Sequence, residues 1–307
     1  MRRTAFYPLV AVSLLTISVF ATHLALAASP VPGTKILTIT PATTKPSIKP
    51  GASSSGKFQI INQGTGDYPV HIYAAPYTVH GEEYTPDFTP VPGKPNAASW
   101  LQFAVTQANI LPNQTLDVPY TVTVPAGTAP GGYYAVAFAE TKSSGSGHQG
   151  VIINERVGEI FYIQVAGKVH QAGKLLSWSS KFWQQPPLSA SLRLENDGSL
   201  DYASNVTIVV RDIFGRAKYS LNTSKEVLPQ TIRHVPISWS GAPPLGLFKV
   251  TGTITLPGNI TKGLPTKYVL VMSPLVRITG IAVVAILVAY GFGRRLSRMR
   301  RSKKTAA

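Results

Sequence analysis

Three short motifs occur twice, in the same order, along the 307 residues. N-x-G-x-x-D-Y appears as Asn62–Tyr68 and again as Asn196–Tyr202. A Leu-Pro motif appears as "LPNQTLDVP" from Leu111 and as "LPQTIRHVP" from Leu228. P-x-G-x-aromatic-x-V appears as Pro130–Val136 and as Pro244–Val250. The copies are offset by 134, 117 and 114 residues. One such match is chance, but three in order mark an internal duplication. The flanking segments alternate apolar and polar with period two: "GKFQIIN" and "YPVHIYAA" around the first N-x-G, "SASLRLEN" and "ASNVTIVVRD" around the second. The Leu-Pro motifs open "TLDVPYTVTV" and "TIRHVPISW", and the P-x-G motifs open "YYAVAFAE" and "FKVTGTITL". Period two is the mark of a strand with one face buried, and Asn and Gly accept the positive φ of tight turns. Each N-x-G is therefore expected to join two antiparallel strands. Short strands at this spacing, without helices between them, predict an all-β fold of two tandem immunoglobulin-like β-sandwich domains, near 34–167 and 170–272. The aromatic core expected is Trp100, Tyr134, Phe138 and Phe161 in the first domain. In the second it is Trp178, Leu194, Trp239 and Phe248, with Leu176 and Phe182 on the Trp178 face.

The two ends read differently from the middle. Residues 1–27 have the plan of a signal peptide: "MRR", an apolar stretch, then "ALA" with small residues placed for cleavage before Ala28. Residues 28–33 form a short linker. Residues 275–292 are non-ionisable except Arg277 and long enough to cross a bilayer as one transmembrane helix, followed by a basic tail at 293–307. The positive-inside rule then puts the tail in the cytoplasm and the N-terminal ectodomain outside, a single-pass topology in the cell membrane. The formal charge of +16 is concentrated at these ends. All 13 acidic residues lie between Asp67 and Glu226, and the middle carries no basic stripe of the kind that tracks a phosphate backbone, so no nucleic-acid partner is expected. "LPTKY" lacks the glycine and the threonine placement of a sortase signal, which leaves retention to the helix. The absence of cysteine excludes disulfides and thiolate chemistry.

The first copy is longer by 17 residues between its first two motifs, around Tyr77–Ser99. That insert holds His80, Glu82, Glu83, Tyr84, Asp87 and Phe88, and loops on rigid scaffolds are where binding residues collect. It is the candidate ligand loop. Trp183 is the candidate for glycan stacking or for packing against the neighbouring domain. No histidine pair has metal-ligand spacing, and no nucleophile elbow, P-loop or dinucleotide fingerprint is present, so no catalytic residues, no cofactor and no metal site are assigned. "LENDGSLDYAS" places Glu195, Asp197 and Asp201 around Gly198. The first copy shares the turn residues but not Glu195 and Asp197, which makes the stretch a strand-joining turn.

"KPGASSSGKFQIINQG", "ILPNQTLDVPYTVTVPAGTAPGGYYAVAFAE" and "RVGEIFYIQVAG" resemble the N-terminal domain of the WxL-interacting surface proteins of Gram-positive bacteria. "NDGSLDYASNVTIVVRDIFGRA" with "VLPQT" is similar to the domain that follows it there. The resemblance implies a wall-facing protein whose first domain contacts peptidoglycan and whose second contacts a surface partner, with no catalytic residues. The expected function is thus a non-enzymatic, membrane-anchored surface protein that binds cell-wall glycan or another exported surface protein. Two alternatives stay open. One is a structural subunit of an envelope or secretion-linked membrane complex that associates through strand edges. The other is a wall hydrolase built on dispersed carboxylates such as Glu82 with Asp87.

Overall fold

A computed structural model describes residues 36–92, 96–141 and 155–304. The expected signal peptide and the linker that follows it lie outside the described residues, as do the last three residues of the tail. The chain is two β-sandwiches in series, closed by one helix.

The first sandwich is built from β1 (Leu37–Thr40), β2 (Thr43–Thr44), β3 (Ser47–Ile48), β4 (Ser53–Asn62), β5 (Tyr68–Pro76), β6 (Thr78–His80), β7 (Thr85–Asp87), β8 (Leu101–Phe103), β9 (Gln107–Ile110), β10 (Thr115–Thr123), β11 (Gly131–Thr141) and β12 (Arg156–Val165). One sheet runs β1-β4-β10-β8. The other runs β2-β12-β11-β5-β9, with β3 also on β12. The second sandwich has β13 (Gly173–Ser179), β14 (Trp183–Gln184), β15 (Leu188–Asn196), β16 (Tyr202–Asp212), β17 (Ala217–Val227), β18 (Thr231–Trp239), β19 (Leu245–Leu256) and β20 (Ile260–Met272). Its sheets run β13-β15-β18 and β14-β20-β19-β16-β17. The two orders superimpose strand for strand. In both copies the first strand lies antiparallel in one sheet, and the next segment pairs in parallel with the last strand of the other. β3, the β6–β7 hairpin and β8 belong to the first copy alone.

The N-x-G turns depart from expectation in one respect. They do not close hairpins. β4 and β5 lie in opposite sheets, as do β15 and β16, so each turn carries the chain across the sandwich. The asparagine makes this possible. The buried Asn62 side chain donates to the carbonyls of Gly66 (2.8 Å) and Ile110 (2.9 Å) and accepts from the Gly64 N–H (2.8 Å). The equally buried Asn196 donates to Leu200 (2.9 Å) and Val227 (2.7 Å) and accepts from Gly198 (2.8 Å). These partners are equivalent positions of the duplicated sequence. One amide thus satisfies three backbone groups at a crossing where no ladder partner is available.

Two aromatic assignments change for steric reasons. Along β11 the core side is taken by Ala135, Ala137 and Ala139, while Tyr134 and Phe138 point to the opposite face. There Phe138 is covered by Phe88 and by the Arg156 guanidinium, 4.2 Å from its ring centre. In β13 a β-bulge between Leu175 and Ser177 adds one unpaired residue and shifts the alternation. Leu175 and Trp178 then face the core, while Leu176 is turned out, and Phe182, beyond the strand, is exposed.

The first core also holds a carboxyl group. Glu159 on β12 points the same way as Phe161, Ile163 and Val165 and is fully buried. Thr44 Oγ1 donates to one of its oxygens at 2.5 Å, and the other has no partner among the described residues. Burial pushes its pKa from 4.5 up to about 7. Below pH 4.5 the group is protonated whether the chain is folded or not, and it costs nothing. Between pH 4.5 and about 7 only the unfolded chain releases the proton, so stability falls as pH rises; above that range the penalty is constant. Glu159→Met is expected to flatten this slope and to raise stability at pH 8 by about 2–3 kcal/mol, the pKa difference less the Thr44 hydrogen bond. Urea titrations at pH 4.5 and pH 8 measure it, and an unchanged slope would refute it.

The helix α1 runs from Pro274 to Lys304, so the basic stretch expected as a separate tail is helical through residue 304. Within it, Pro274–Arg295 is long and apolar enough to cross a membrane, and none of that surface is buried by the rest of the protein. Only Ser273 separates β20 from the helix.

Candidate functional site

The insert of the first copy folds as the β6–β7 hairpin and reaches onto the second domain. Gly81 (φ +64°) and Tyr84 (φ +59°) turn the chain at its tip. A tyrosine in the left-handed region costs about 1 kcal/mol or more and persists only where its surroundings hold it. Here they do. The Tyr84 hydroxyl pairs with the Thr231 hydroxyl and accepts from the Leu228 N–H at 3.0 Å, and its ring lies 4.2 Å from the Arg233 guanidinium. Glu82 receives both arms of the Arg193 guanidinium, one of them at 2.6 Å. That fork holds the Glu82 carboxyl below the usual carboxylate range. The Glu82 carbonyl accepts from the His234 N–H at 2.7 Å, and Glu83 meets the His234 ring at 2.6 Å.

The remaining candidates of the insert stay within the first domain. His80 and Asp87 pair across the hairpin at 2.6 Å. Asp87 is held low first by hydrogen bonds from Thr89 and then by His80. Phe88 sits edge-on to Phe138, with centroids 4.9 Å apart. Glu82 and Asp87, the pair weighed for hydrolysis, are therefore engaged by different side chains, Arg193 and His80. Trp183 is at the far end of the second domain, 54 % exposed, beside the start of α1 rather than against the first domain. The reason is register: Trp183 pairs with Leu270, two residues before the end of β20.

A polar seam lies beside the hairpin contact. Lys45 reaches Glu226 at 2.6 Å and Asp201 at 3.8 Å, and lies 5.0 Å from the centre of the Tyr162 ring. The Tyr134 hydroxyl donates to Asp201 at 2.9 Å. Burial pushes Asp201 and Tyr134 both upward. Tyr77, Tyr84, Tyr162 and Leu228 form a small apolar cluster there, separate from either domain core. The backbone joins in: Gly132 N–H donates to the Ser199 carbonyl at 2.8 Å, and a Cβ on Gly131 (φ +155°) would stand 2.9 Å from that same oxygen. The P-x-G step of the first copy thus packs on the N-x-G turn of the second. The start of the second domain is tied to that turn as well, with Ser199 N–H donating to the His170 carbonyl at 2.8 Å.

The "LENDGSLDYAS" stretch is thus a strand-joining turn and an interdomain pin. Its two additional carboxylates share one lysine: Lys174 is 2.7 Å from Glu195 and 2.9 Å from Asp197. Asp201, which the copies share, has diverged in role. Asp67 is on the surface of the first domain, whereas Asp201 is buried in the seam.

Above the seam the domains leave a cleft of about 430 Å³, lined by Tyr77, Val79, Val91, Tyr133, Leu228 and Gln230 among others. It joins aromatic and aliphatic side chains to a few hydrogen-bonding groups, the composition of sites that hold a sugar or an extended peptide. The sequence reading missed it, because its walls come from both domains and meet only in the folded chain.

No protein-family model matches the sequence, and none of the curated proteins does. Among solved structures, the chain is similar to the class 5 fimbriae chaperone CfaA, with 10% identity, a TM-score of 0.40, and coverage of 77% of this chain and 99% of that one. The E. coli chaperone DraB shows 12% identity, a TM-score of 0.40 and coverage of 77% and 97%. The CsuC–CsuE complex of Acinetobacter baumannii shows 12% identity, a TM-score of 0.39 and coverage of 78% and 99%. These values carry no functional argument, and the immunoglobulin-like fold rests on the sheets described above.

Proposed function

We propose that this is a non-enzymatic surface protein, held in the cell membrane by α1, whose two domains act as one arm that binds cell-wall glycan or another exported protein. The observation that carries this reading is the interdomain contact. The first domain spends its insert on gripping the second, and β20 runs into an apolar helix with one intervening residue. A body joined rigidly at both ends suits presentation of a fixed surface at a set height above a membrane. The cleft between the domains is the surface assigned to the ligand. Each carboxylate of the insert is held by a side chain, Asp87 by His80, Glu82 by Arg193 and Glu83 by His234, which favours binding over hydrolysis. The signal peptide and the basic end of the helix favour the orientation with both domains outside.

Val91, 38% exposed on the cleft wall, provides the test. Full-length chain in detergent is sedimented with purified peptidoglycan, and in parallel a photo-crosslinker placed at Val91 is activated in intact cells. Co-sedimentation reduced at least about tenfold by Val91→Glu supports the wall-glycan form. One dominant crosslinked exported protein supports the protein-partner form. Neither result, or binding indifferent to Val91→Glu, overturns the assignment of the cleft.

A further inference from the structure

The end of the second domain nearest α1 carries an apolar band with several large side chains exposed among the described residues. Strand register orders it. On the outer face of the five-stranded sheet, Met272 pairs with Leu245. The next row is Trp183, Leu270 and Leu247, and the row above it is Tyr268, Lys249 and Arg211. Leu245, Leu247, Trp183 and Tyr268 are all exposed. Phe182 adjoins them, its carbonyl accepting from Leu270 N–H. The β16–β17 hairpin turns at the same end, and its tip, Ile213–Phe214, is the most exposed apolar pair of the domain, with Phe214 at 73%. Asp212 organises that tip. It accepts from the Phe214 and Arg216 N–H groups and pairs with Arg216 and Lys218.

We infer that this end of the second domain is a second, peripheral membrane contact, seated in the headgroup layer of the bilayer that α1 crosses. The inference rests on reading α1 as a membrane span. Three observations choose lipid as the occupant. The first is continuity. At about 3.3 Å per residue, the Met272 row stands about 7 Å, and the Leu270 row about 13 Å, along the strand from the start of the helix at Pro274. A headgroup layer is roughly 5–8 Å deep, so the Met272–Leu245 row falls within it and the Leu270 row stands just above. Asp212 lies beside Phe248 and Phe248 beside Val269, and the hairpin projects past Asp212 toward the same level. The second is order. Met272 and Leu245 lie nearest the helix, Trp183 shares the next row with two leucines, and Tyr268, Lys249 and Arg211 lie above, the sequence of groups found across a membrane interface. The third is charge. Glu195, Asp197, Asp201 and Glu226 sit at the opposite end of the domain with the interdomain seam. At the helix end Asp212 is neutralised by its own hairpin, which leaves Lys181, Arg211, Lys249 and Arg277 to face the surface. That asymmetry suits anionic headgroups.

The chain has no cysteine, so single-cysteine labelling is clean. Full-length protein is placed in phosphatidylcholine vesicles, with and without phosphatidylglycerol. An environment-sensitive fluorophore is attached at Phe214→Cys, at Ile286→Cys within the apolar span, or at Ser55→Cys on the first domain. Quenching by brominated lipid is then measured. The expected result is strong quenching at 286 and at 214, at least about threefold above that at 55. Phosphatidylglycerol should increase it at 214, and Arg211→Gln with Lys249→Gln should remove that increase. Quenching at 286 but not at 214 overturns the inference and leaves the span intact; if the label at 214 is also shielded from iodide, a second protein surface covers it instead. Absence of quenching at 286 overturns the span, and the inference with it.

Discussion

Asn62→Ala and Asn196→Ala are each expected to lower the unfolding free energy by about 3–5 kcal/mol, the largest losses available to a single side chain here that is not a large hydrophobe. Each truncation strands one backbone N–H and two carbonyls at a buried crossing between sheets. An unpartnered buried group costs about 1–3 kcal/mol, and water admitted to the cavity recovers only part of it. The aspartate variants should fare no better, since a carboxylate keeps the bond from the glycine N–H but faces two carbonyl oxygens. Urea denaturation in detergent micelles provides the measurement. Because the two asparagines make the same three bonds, their losses should agree to within about 1 kcal/mol. A loss below about 1 kcal/mol at either would refute this account of the crossing.

Tyr84→Ala is expected to separate the domains. It deletes the anchor of the hairpin, its pairing with Thr231 and Leu228, and its stacking on Arg233, together about 3 kcal/mol or more. The consequence should be qualitative. With the clamp intact the two sandwiches unfold in a single calorimetric transition; without it two transitions should appear, one for each core, and small-angle scattering should show a broader distribution of domain separations. Tyr84→Phe, which keeps the ring and loses the hydroxyl, should cost about 1–2 kcal/mol and retain the single transition. A single transition in Tyr84→Ala would show that the Lys45–Asp201–Glu226 seam suffices by itself.

The fold was legible because its signals are local. Alternation with period two, N-x-G turns and repeated spacing are properties of neighbours along the chain. They placed β4, β5, β10 and β11, and their copies β15, β16, β18 and β19, close to where they are found. Errors came where a non-local term enters. The N-x-G turn looks like a hairpin, but whether the strands it joins pair with each other or with others depends on which sheet completes the sandwich. The bulge in β13 is invisible in "GKLLSWS", yet it reverses which of Leu175 and Leu176 is buried. Tyr134 and Phe138 lost the core to alanines because β11 lies in the middle of its sheet, covered on both faces.

The insert illustrates the same limit at the candidate site. Its residues were found for a sound reason, a charged and aromatic loop on a rigid scaffold. Their destinations could not be read, since Arg193 and His234 lie 111 and 151 residues from their partners. Nor could the membrane-facing band be read from sequence, because Trp183, Phe214, Leu245 and Tyr268 come from separate segments that only the β14-β20-β19-β16 register brings to one end.

By itself, then, the sequence determined the class of fold, the duplication and the apolar helix, since these follow from short-range periodicity and from length. The tertiary structure alone decided what the insert grips, where the cleft lies and which surface faces the helix. Those depend on side-chain pairs more than a hundred residues apart and on sheet neighbours drawn from separate segments, and the free energy of such contacts exists only once the two sandwiches have formed.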